Sequence, residues 1–450
     1  MNLSISFFIL SILFCIFGVI TWLNATLIPY LKIACELTSN TQANLVAFAF
    51  YISYFFLALP SAWILNKTGY KKGMSLGLFT MSIGTLIFIP AAISRQYSLF
   101  LFGLFVQGAG LAILQTASNP YVIIIGPIES AAKRISFLGI CNKFAGIISP
   151  LILGIIILNN VDSLILNLKG MDQLQKTIAL NSLAAKVILP YTLMSLALMI
   201  LAIALRFSPL PELHEDSTQN FSEENLSTNK NSILNFPYLW LGVLAIFLYV
   251  GVEVIAVDTL VLYGRSLGFS LTDAKFFSSF TLAAMIIGYI IGIITIPKFI
   301  SQATALKWYA ISGVLFSIIA ILTNNITSII AISLLGLSNA IMWPAIWPLA
   351  LEGLGRFTKQ ASAFLIMGIL GGAILPLFYG LLADTIGNKY AYIILIPSYI
   401  YLVYYAMIGH LVGKKTSCSS HATSSHATSS QAINPRNSDE PQIHFVEDYN

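Results

Sequence analysis

The sequence predicts an all-α membrane protein with twelve transmembrane helices. Apolar residues make up 57% of the 450-residue chain and charged residues only 9%. A bilayer core about 30 Å thick requires roughly 20 helical residues to cross it. Within lipid every backbone N–H and C=O must be satisfied inside its own segment, so apolar runs of this length are expected to be helices. Twelve such runs are predicted, at residues 7–30, 42–66, 74–94, 97–125, 134–158, 185–207, 237–264, 273–298, 304–323, 326–352, 359–384 and 389–412.

Lys and Arg are spread unevenly between the predicted loops. Of the 23 basic residues, fourteen lie on the side of the chain termini, eight lie on the other side, and the last, Lys143, lies inside a span. Because cytoplasmic loops are enriched in basic residues, both termini are predicted to be cytoplasmic in a multi-pass protein of the cytoplasmic (inner) membrane. The net charge of +5 is therefore a topology signal and indicates no nucleic-acid partner. No basic segment precedes the first run, which predicts a retained span rather than a cleaved signal.

A charged break divides the chain into two halves. Residues 208–236 contain two prolines and five acidic residues, which is typical of a solvated linker. The predicted organisation is an N-terminal six-helix bundle (1–207), a cytoplasmic linker (208–236), a C-terminal six-helix bundle (237–412) and a cytoplasmic tail (413–450). The tail is rich in Ser, His, Thr and Asn, and it is predicted to be disordered because its little apolar surface cannot offset the entropy of ordering.

The two halves carry an internal repeat. Residues 136–154 in span five are echoed by residues 362–380 in span eleven at a constant offset of 226, with a Gly-x3-Pro-x3-Gly pattern in both. Residues 25–30 in span one are echoed by residues 258–263 in span seven. Duplicated halves with a site between them are the architecture of many secondary transporters, so two pseudo-symmetric bundles are predicted.

Cofactor and enzyme chemistry is not indicated. The four cysteines are far apart and have no metal-type spacing, so neither a disulfide framework nor a metal site is predicted, and no cofactor is expected. A membrane enzyme would need a polar catalytic loop or a cluster of metal ligands, and the sequence presents neither. The prediction is therefore a transporter rather than an enzyme.

A motif in span four and several shorter segments resemble a known family. Residues 115–121 read Gln-Thr-Ala-Ser-Asn-Pro-Tyr and are followed by Gly126-Pro127, Glu129-Ser130, Arg134 and Asn142. This pattern resembles the fucose and glucose/galactose permease branch of the major facilitator superfamily. Residues 23–29, 247–253 and 371–384 are similar to the same branch. The resemblance implies the major facilitator fold and transport of sugars by alternating access, usually coupled to an ion.

Two amides in span four are candidates for sugar binding. Gln115 and Asn119 are four residues apart and therefore share one face of a helix. Amides supply both donors and acceptors, which a neutral polyol requires; the alternative is that they join helices. Gln115 matches the glucose/galactose branch, since the fucose branch has a carboxylate there. The resemblance adds Asn142, which matches the family's sugar-site asparagine, and Asn24 in span one.

Aromatic residues are a second group of candidates. Trp343 and Trp347 in span ten are also four residues apart. Their indole rings could pack on the C–H face of a pyranose, or they could face the lipid interface instead. Trp22, close to Asn24, is a weaker candidate of the same kind.

The ionisable residues of the spans depart from the resemblance. The family's span-one aspartate is Ala25 here, so coupling through that carboxylate does not transfer. Asp258 stands at the pseudo-symmetric position in span seven. Lys143 lies roughly 13 Å deep in its span, where a charge needs a partner or a hydrated cavity, and Glu253 or Asp258 is expected to be that partner.

Three hypotheses follow for these residues. Asp258 or Glu253 could have taken over ion coupling, with Lys143 tuning the proton affinity of the carboxylate. Alternatively, the charges form a static buried ion pair that only fixes the two halves. In the third, Lys143 directs specificity towards an anionic sugar or acid.

The loop between spans two and three contains a candidate gate. It includes Lys67, Gly69, Lys71 and Lys72. Gly69 allows a tight turn, and the lysines could pair with acids or helix C-termini when the cytoplasmic side closes. The alternative is that these lysines only set topology.

The predicted function is import of a neutral monosaccharide by an ion-coupled secondary transporter in the lipid bilayer. Glucose or galactose is favoured over fucose, and a proton or sodium ion is the expected co-transported partner. The alternatives are a uniporter, a carrier of another polar or anionic small molecule, an exporter of amphipathic compounds, and a sugar sensor that has lost transport. Paired amides argue against the exporter, and the short tail argues against the sensor.

Overall fold

The computed structural model describes residues 3–124, 131–158, 160–168, 170–210, 232–296 and 298–414. The described residues contain twelve helical spans that are long and apolar enough to cross a membrane, which confirms the predicted fold class. The spans are Ile5–Ala34, Asn40–Thr68, Tyr70–Ser94, Tyr97–Asn119, Arg134–Ile157, Gln173–Phe207, Pro237–Asp258, Leu271–Thr295, Gln302–Leu322, Asn325–Leu351, Gln360–Ile386 and Asn388–Met407. Because the number is even, span one begins and span twelve ends on the same side, here called the terminal face; the other side is the opposite face.

Two equivalent spans of the two halves are interrupted. Span one consists of the helices Leu3–Trp22 and Asn24–Ala34, which meet at Leu23. The helix of span seven ends at Asp258, and the helix Leu260–Ser266 continues it. Interrupted helices expose backbone polar groups that tertiary structure must satisfy, and in transporters they commonly border the binding site.

The structure extends the prediction between spans five and six. Span six begins at Gln173 rather than at residue 185, because the helix Gln173–Ala185 precedes the apolar run. A capping box at Asp172 starts this helix. The helix contains too many polar residues for the apolar-run criterion used to predict the spans. A separate helix, Val161–Leu168, lies between the two spans. Most of the predicted linker (211–231) and tail (415–450), as well as residues 126–130 of the span-four motif, lie outside the described residues.

Glycines allow close packing of equivalent helix pairs in the two halves. A Cβ at Gly18 in span one would overlap the backbone of Asn142 in span five. A Cβ at Gly371 in span eleven would overlap the backbone of Phe247 in span seven. Small residues let helix backbones approach closely within membranes. The packing of spans one and five thus resembles that of spans seven and eleven.

Candidate functional site

A cavity of about 140 Å³ lies between the two halves. It is lined by residues of spans one, two, four, five, seven, eight, ten and eleven. The lining residues are Phe14, Phe17, Thr21, Trp22, Tyr51, Tyr54, Gln115, Asn119, Ile135, Gly139, Asn142, Lys143, Tyr249, Val250, Glu253, Val254, Tyr289, Trp343, Pro344 and Ile369.

Most of the predicted sugar-binding residues line this cavity. Gln115, Asn119, Asn142 and Trp343 all do so. Trp347 is not among the lining residues and instead stacks on Trp343, with ring centroids 5.1 Å apart. The structure therefore brings side chains that are far apart in the sequence together around one cavity.

Asn24 occupies a different position. It is 1% exposed, does not line the cavity, and its Nδ2 has no hydrogen-bond partner among the described residues. Asn24 begins the second helix of span one, next to the interruption at Leu23. Its predicted contact with substrate stays a prediction.

Trp22 orients one of the amides. Its Nε1 donates a hydrogen bond of 3.1 Å to Oδ1 of Asn142. An indole N–H is only a donor, so the acceptor must be the amide oxygen. The oxygen of Asn142 is thus directed at Trp22, and its NH₂ group is the end that remains for other partners.

Four tyrosines of the cavity were not predicted from the sequence. They are Tyr51, Tyr54, Tyr249 and Tyr289. The sequence did contain a signal for two of them, because Tyr51 and Tyr54 are three residues apart in an apolar span and a buried phenol usually has a hydrogen-bond partner. Tyr249 also lies 6.5 Å from Trp343, measured between ring centroids. These phenols add hydroxyl groups to the amides around the cavity.

A buried ion pair joins the halves inside the cavity. The Nζ of Lys143 in span five is 2.7 Å from Oε1 of Glu253 in span seven, and each side chain is 8% exposed. The ammonium also lies 4.1 Å from the ring centroid of Trp22, which adds a cation–π contact. Of the two partners expected for Lys143, Glu253 is the one that binds it.

Asp258 is buried without such a partner. It is 0% exposed, and neither carboxylate oxygen has a hydrogen-bond partner among the described residues. It lies five residues beyond Glu253 in the same helix, about 7 Å further towards the opposite face at 1.5 Å per residue. Asp258 therefore lies outside the cavity wall, at the point where the helix of span seven ends.

Asp384 ties the two halves together at the opposite face. Near the end of span eleven, it accepts hydrogen bonds from the backbone N–H groups of Asn40 and Thr41, at 2.7 and 2.9 Å. It also accepts one from the hydroxyl of Thr41, at 2.6 Å. Asn40 and Thr41 begin span two, where the first N–H groups of a helix lack intrahelical partners and favour a negative charge.

Asp162 makes an equivalent tie in the other direction. It follows span five and accepts hydrogen bonds from the N–H groups of Leu271 and Thr272, both at 3.2 Å. The hydroxyl of Thr272 donates at 3.2 Å and Arg265 at 2.8 Å. Each half thus supplies a carboxylate that caps a helix of the other half; these are the two cross-half ties.

The predicted gating loop contacts its own helix and the residue that follows span six. Gly69 has φ +79°, which glycine tolerates best, and it separates spans two and three. The Nζ of Lys71 donates a hydrogen bond of 2.6 Å to the carbonyl of Ser208. The Nζ of Lys67 lies 3.9 Å from the ring centroid of Trp63. The gating role of this loop stays a prediction.

The family model described as Major Facilitator Superfamily matches residues 10–376. The chain belongs to the Major Facilitator Superfamily. Members of this superfamily are transporters, and the curated relatives of the chain all have transporter names, so the expectation that it is not an enzyme is confirmed. The chain is a multi-pass membrane protein.

The relatives of this Major Facilitator Superfamily member confirm the predicted branch. A protein named glucose/galactose transporter from Brucella abortus (strain 2308) is 36% identical over 404 residues, covering 89% of this chain and 93% of the relative. The L-fucose-proton symporter of Escherichia coli (strain K12) is 31% identical over 391 residues, covering 85% of this chain and 88% of the relative.

Solved structures of the superfamily share the fold. A crystal structure of the E. coli fucose:proton symporter has a TM-score of 0.70 at 28% identity and covers 91% of this chain and 99% of that one. A D-xylose-proton symporter has a TM-score of 0.64 at 14% identity, which shows the fold alone.

Proposed function

We propose that this chain imports a neutral hexose, glucose or galactose rather than fucose, by alternating access. The observation that carries the proposal is the shared orientation of Gln115, Asn119 and Asn142, which come from two spans and all face the cavity between the halves. The relatives named glucose/galactose transporter support the same substrate class. Gln115 supports the choice within that class, since the fucose branch has a carboxylate at this position.

The cavity of about 140 Å³ has room for a six-membered ring, since a cavity of about 150 Å³ in another protein holds benzene. A hexose has twice as many heavy atoms as benzene, so its hydroxyl groups require the two halves to move apart when it binds. The amides can both donate to and accept from sugar hydroxyls, while Trp22 and Trp343 offer flat faces for the C–H face of the ring. Lys143 is engaged by Glu253, so this geometry does not favour an anionic substrate.

Coupling to a proton is assigned in this proposal to Asp258. A charge without a partner costs on the order of 3 kcal/mol in the membrane interior, so the buried state favours a neutral carboxylic acid. A proton neutralises the carboxylate without requiring further ligands, whereas a metal cation would need several. The L-fucose-proton symporter relatives support the choice of ion.

The proposed orientation of the protein in the membrane rests on the charges of the loops. The excess of Lys and Arg on the terminal face supports a cytoplasmic location for both termini and insertion in the cytoplasmic membrane. The opposite face, with the two cross-half ties, is then the external side. Lys67, Lys71 and Lys72 lie on the cytoplasmic side in this orientation.

Counterflow in proteoliposomes tests the substrate. Vesicles containing purified protein are loaded with unlabelled hexose and diluted into labelled glucose, galactose, fucose or xylose. We expect transient uptake of labelled glucose or galactose, competed by either sugar, and weaker uptake of fucose. Uptake equal to that of protein-free vesicles for every hexose would contradict the proposal.

Asp258→Asn tests the coupling, because the amide imitates the protonated acid in shape and charge. We expect counterflow to continue while accumulation driven by an imposed proton gradient is lost. Asp273→Asn is the matched control, since Asp273 is exposed at the start of span eight and pairs with Ser270. Accumulation that keeps its wild-type pH dependence in Asp258→Asn would exclude this residue as the coupling site.

A further inference from the structure

The Lys143–Glu253 pair is not explained by sugar binding or by coupling through Asp258. Both residues line the cavity, both side chains are 8% exposed, and their charged atoms are 2.7 Å apart. The pair crosses between the halves, from span five to span seven. Breaking one member of a buried pair costs several kcal/mol, because an uncompensated charge is left behind.

The buried carboxylate of Glu253 needs a positive charge beside it, supplied either from solution or by the protein itself. A carboxylate facing a central cavity can be neutralised by a proton or by a cation from solution, and either would then travel with the substrate. The ammonium of Lys143 neutralises it without entering from solution. Because the ammonium is covalently attached to span five, it cannot leave with the sugar.

We propose that Lys143 is a built-in counter-cation that occupies the position a solution cation would otherwise take at Glu253. Glu253 then stays negatively charged throughout the transport cycle and binds no proton or cation from solution. The proton is left to Asp258 alone. This inference deepens the proposed function and rests on it for its transport measurement, but not for its binding measurement.

The cation–π contact supports a fixed position for the ammonium. The Nζ of Lys143 lies 4.1 Å from the ring centroid of Trp22 and within hydrogen-bond distance of Oε1 of Glu253. Trp22 is itself held by its bond to Asn142. The aromatic ring and the carboxylate together form a site for a small monovalent cation, which the lysine fills.

The proposal predicts that removing the lysine creates a dependence on cations. In Lys143→Met the carboxylate of Glu253 must recruit a proton or sodium ion from solution. In Lys143→Met/Glu253→Gln there is no charge left to neutralise, so the dependence disappears again. Replacing a buried ion pair by uncharged groups of similar size is often tolerated, which makes the double variant the matched control.

Other titratable groups near Glu253 are common to all variants. They are Asp258 and the tyrosines Tyr51, Tyr249, Tyr289 and Tyr399. Tyrosines do not ionise between pH 6 and 8.5 in ordinary surroundings, where their pKa is about 10. A response of Asp258 would be shared by the wild type and the double variant, so comparison among the three proteins isolates Glu253.

Thermal unfolding of the purified full-length chain in detergent measures the binding. Sodium chloride is titrated against choline chloride at constant ionic strength at pH 8, and the pH is then lowered to 6 without sodium. We expect the melting temperature of Lys143→Met to rise by about 3 °C or more with sodium or with acid, because a ligand that binds only the folded state stabilises it. The melting temperatures of the wild type and of the double variant should change equally little in the sodium titration.

Hexose counterflow gives the functional measurement. We expect the counterflow rate of Lys143→Met to be about tenfold below that of the wild type in sodium-free buffer at pH 8, a difference of about 1.4 kcal/mol. Sodium or acid should restore most of the rate. A Lys143→Met protein that is indifferent to cations, or a double variant that still depends on them, would overturn the inference.

A second comparison covers failure of Lys143→Met to fold. The double variant is then compared with the wild type for the pH and sodium dependence of sugar accumulation. Equal dependence supports a Glu253 that binds no ion from solution, whereas loss of an ion in the double variant overturns the proposal. If the wild type carries no hexose at all, the proposed function fails, while the melting experiment still decides whether Lys143 replaces a cation.

Discussion

One oxygen of the Asp384 carboxylate accepts both the backbone N–H and the side-chain hydroxyl of Thr41, at 2.9 and 2.6 Å. The two residues belong to different halves and are separated by 343 positions in the sequence. Asp162 binds Thr272 in the same manner, again across the halves. Alternating access requires the halves to separate on each side in turn, so these bonds must break when the opposite face opens.

We therefore expect Asp384→Ala to shift the protein towards a state that is open at the opposite face. Hydrogen bonds to a charged group contribute about 1.5–3 kcal/mol when buried, and an exposed tie contributes less, so about 1 kcal/mol and a fivefold change in population are expected. Spin labels at Leu174 and Tyr390, exposed residues of the two halves, measure the change in a chain whose four native cysteines are replaced. The label distances should lengthen.

Thr385→Ala is the control for this experiment. Thr385 is the next residue of the same helix, and among the described residues its hydroxyl bonds to carbonyls of its own helix, at Leu381 and Leu382. Asp162→Ala should lengthen the distances on its own, and it should add to Asp384→Ala because the two ties share no residue. Unchanged distances in the double variant would show that closure of this face does not depend on the carboxylates.

Asn119→Ala is expected to weaken sugar binding more than it affects folding. The amide faces the cavity, and loss of hydrogen bonds to a neutral hydroxyl costs about 0.5–1.5 kcal/mol per bond, so KM for the hexose should rise about threefold to tenfold or more. The KM and maximal rate are measured by initial uptake into proteoliposomes.

Ser118→Ala provides the matched control for Asn119→Ala. Ser118 is the preceding residue, is fully buried, and its hydroxyl has no hydrogen-bond partner among the described residues. Its loss should leave KM unchanged and the melting temperature unchanged or slightly raised, because an unsatisfied buried hydroxyl is unfavourable. An equal effect of the two variants on KM would indicate that Asn119 acts through helix packing.

The spans and part of the site could be predicted from the sequence because they follow local rules. Twenty apolar residues dictate a span wherever they occur, and the i, i+4 spacing of Gln115 and Asn119 fixes a common face. The depth of Lys143 within an apolar run required a partner, and one of the two carboxylates expected was found. Each of these inferences needs only the neighbouring sequence and the energetic cost of polar groups in lipid.

The remaining features depend on the relative position of distant elements. Asp162 lies in a short helix that hydropathy did not detect, and Asp384 lies at the end of an apolar span, so neither suggests a partner in the other half. Tyr51 and Tyr289 face the cavity, whereas Tyr404, which also occurs in an apolar run, is exposed. Only the packing of one bundle against the other determines which tyrosines line the cavity.

Gly18→Ala is expected to destabilise the protein by separating spans one and five. The added methyl group would overlap the backbone of Asn142, which cannot move away without moving its helix. Overpacking of this kind typically costs about 1–3 kcal/mol, so a lower melting temperature and reduced sugar binding are expected. Fluorescence-detected thermal unfolding in detergent measures the first effect and counterflow the second.

Gly154→Ala is the control for this prediction. The nearest atom to a Cβ at Gly154 is a side-chain carbon of Lys275 at 3.5 Å, an ordinary contact distance. Alanine is also the better helix former by up to about 1 kcal/mol, so stability should be unchanged or increased. If Gly18→Ala were as stable as Gly154→Ala, the close approach of spans one and five would be wrong.

The thiol of Cys35 at the opposite face should react slowly and with a steep pH dependence. Burial raises the pKa of Cys35 to about 11, while the nearby Arg95 acts in the opposite direction. The thiolate is the reactive form, so below this pKa its fraction rises about tenfold for each pH unit. With the other three cysteines replaced by serine, the rate of maleimide labelling should rise throughout pH 7–10.

Arg95→Ala gives the sign of the electrostatic contribution to this thiol. Removing the guanidinium takes away the positive charge that favours the thiolate, so the pKa of Cys35 should rise further and labelling at a given pH should slow. A labelling rate that levels off near pH 9 would show that the thiol is solvated at the end of span one. Faster labelling in Arg95→Ala would instead mean that loss of the Arg95–Glu36 ion pair loosens this end of the span.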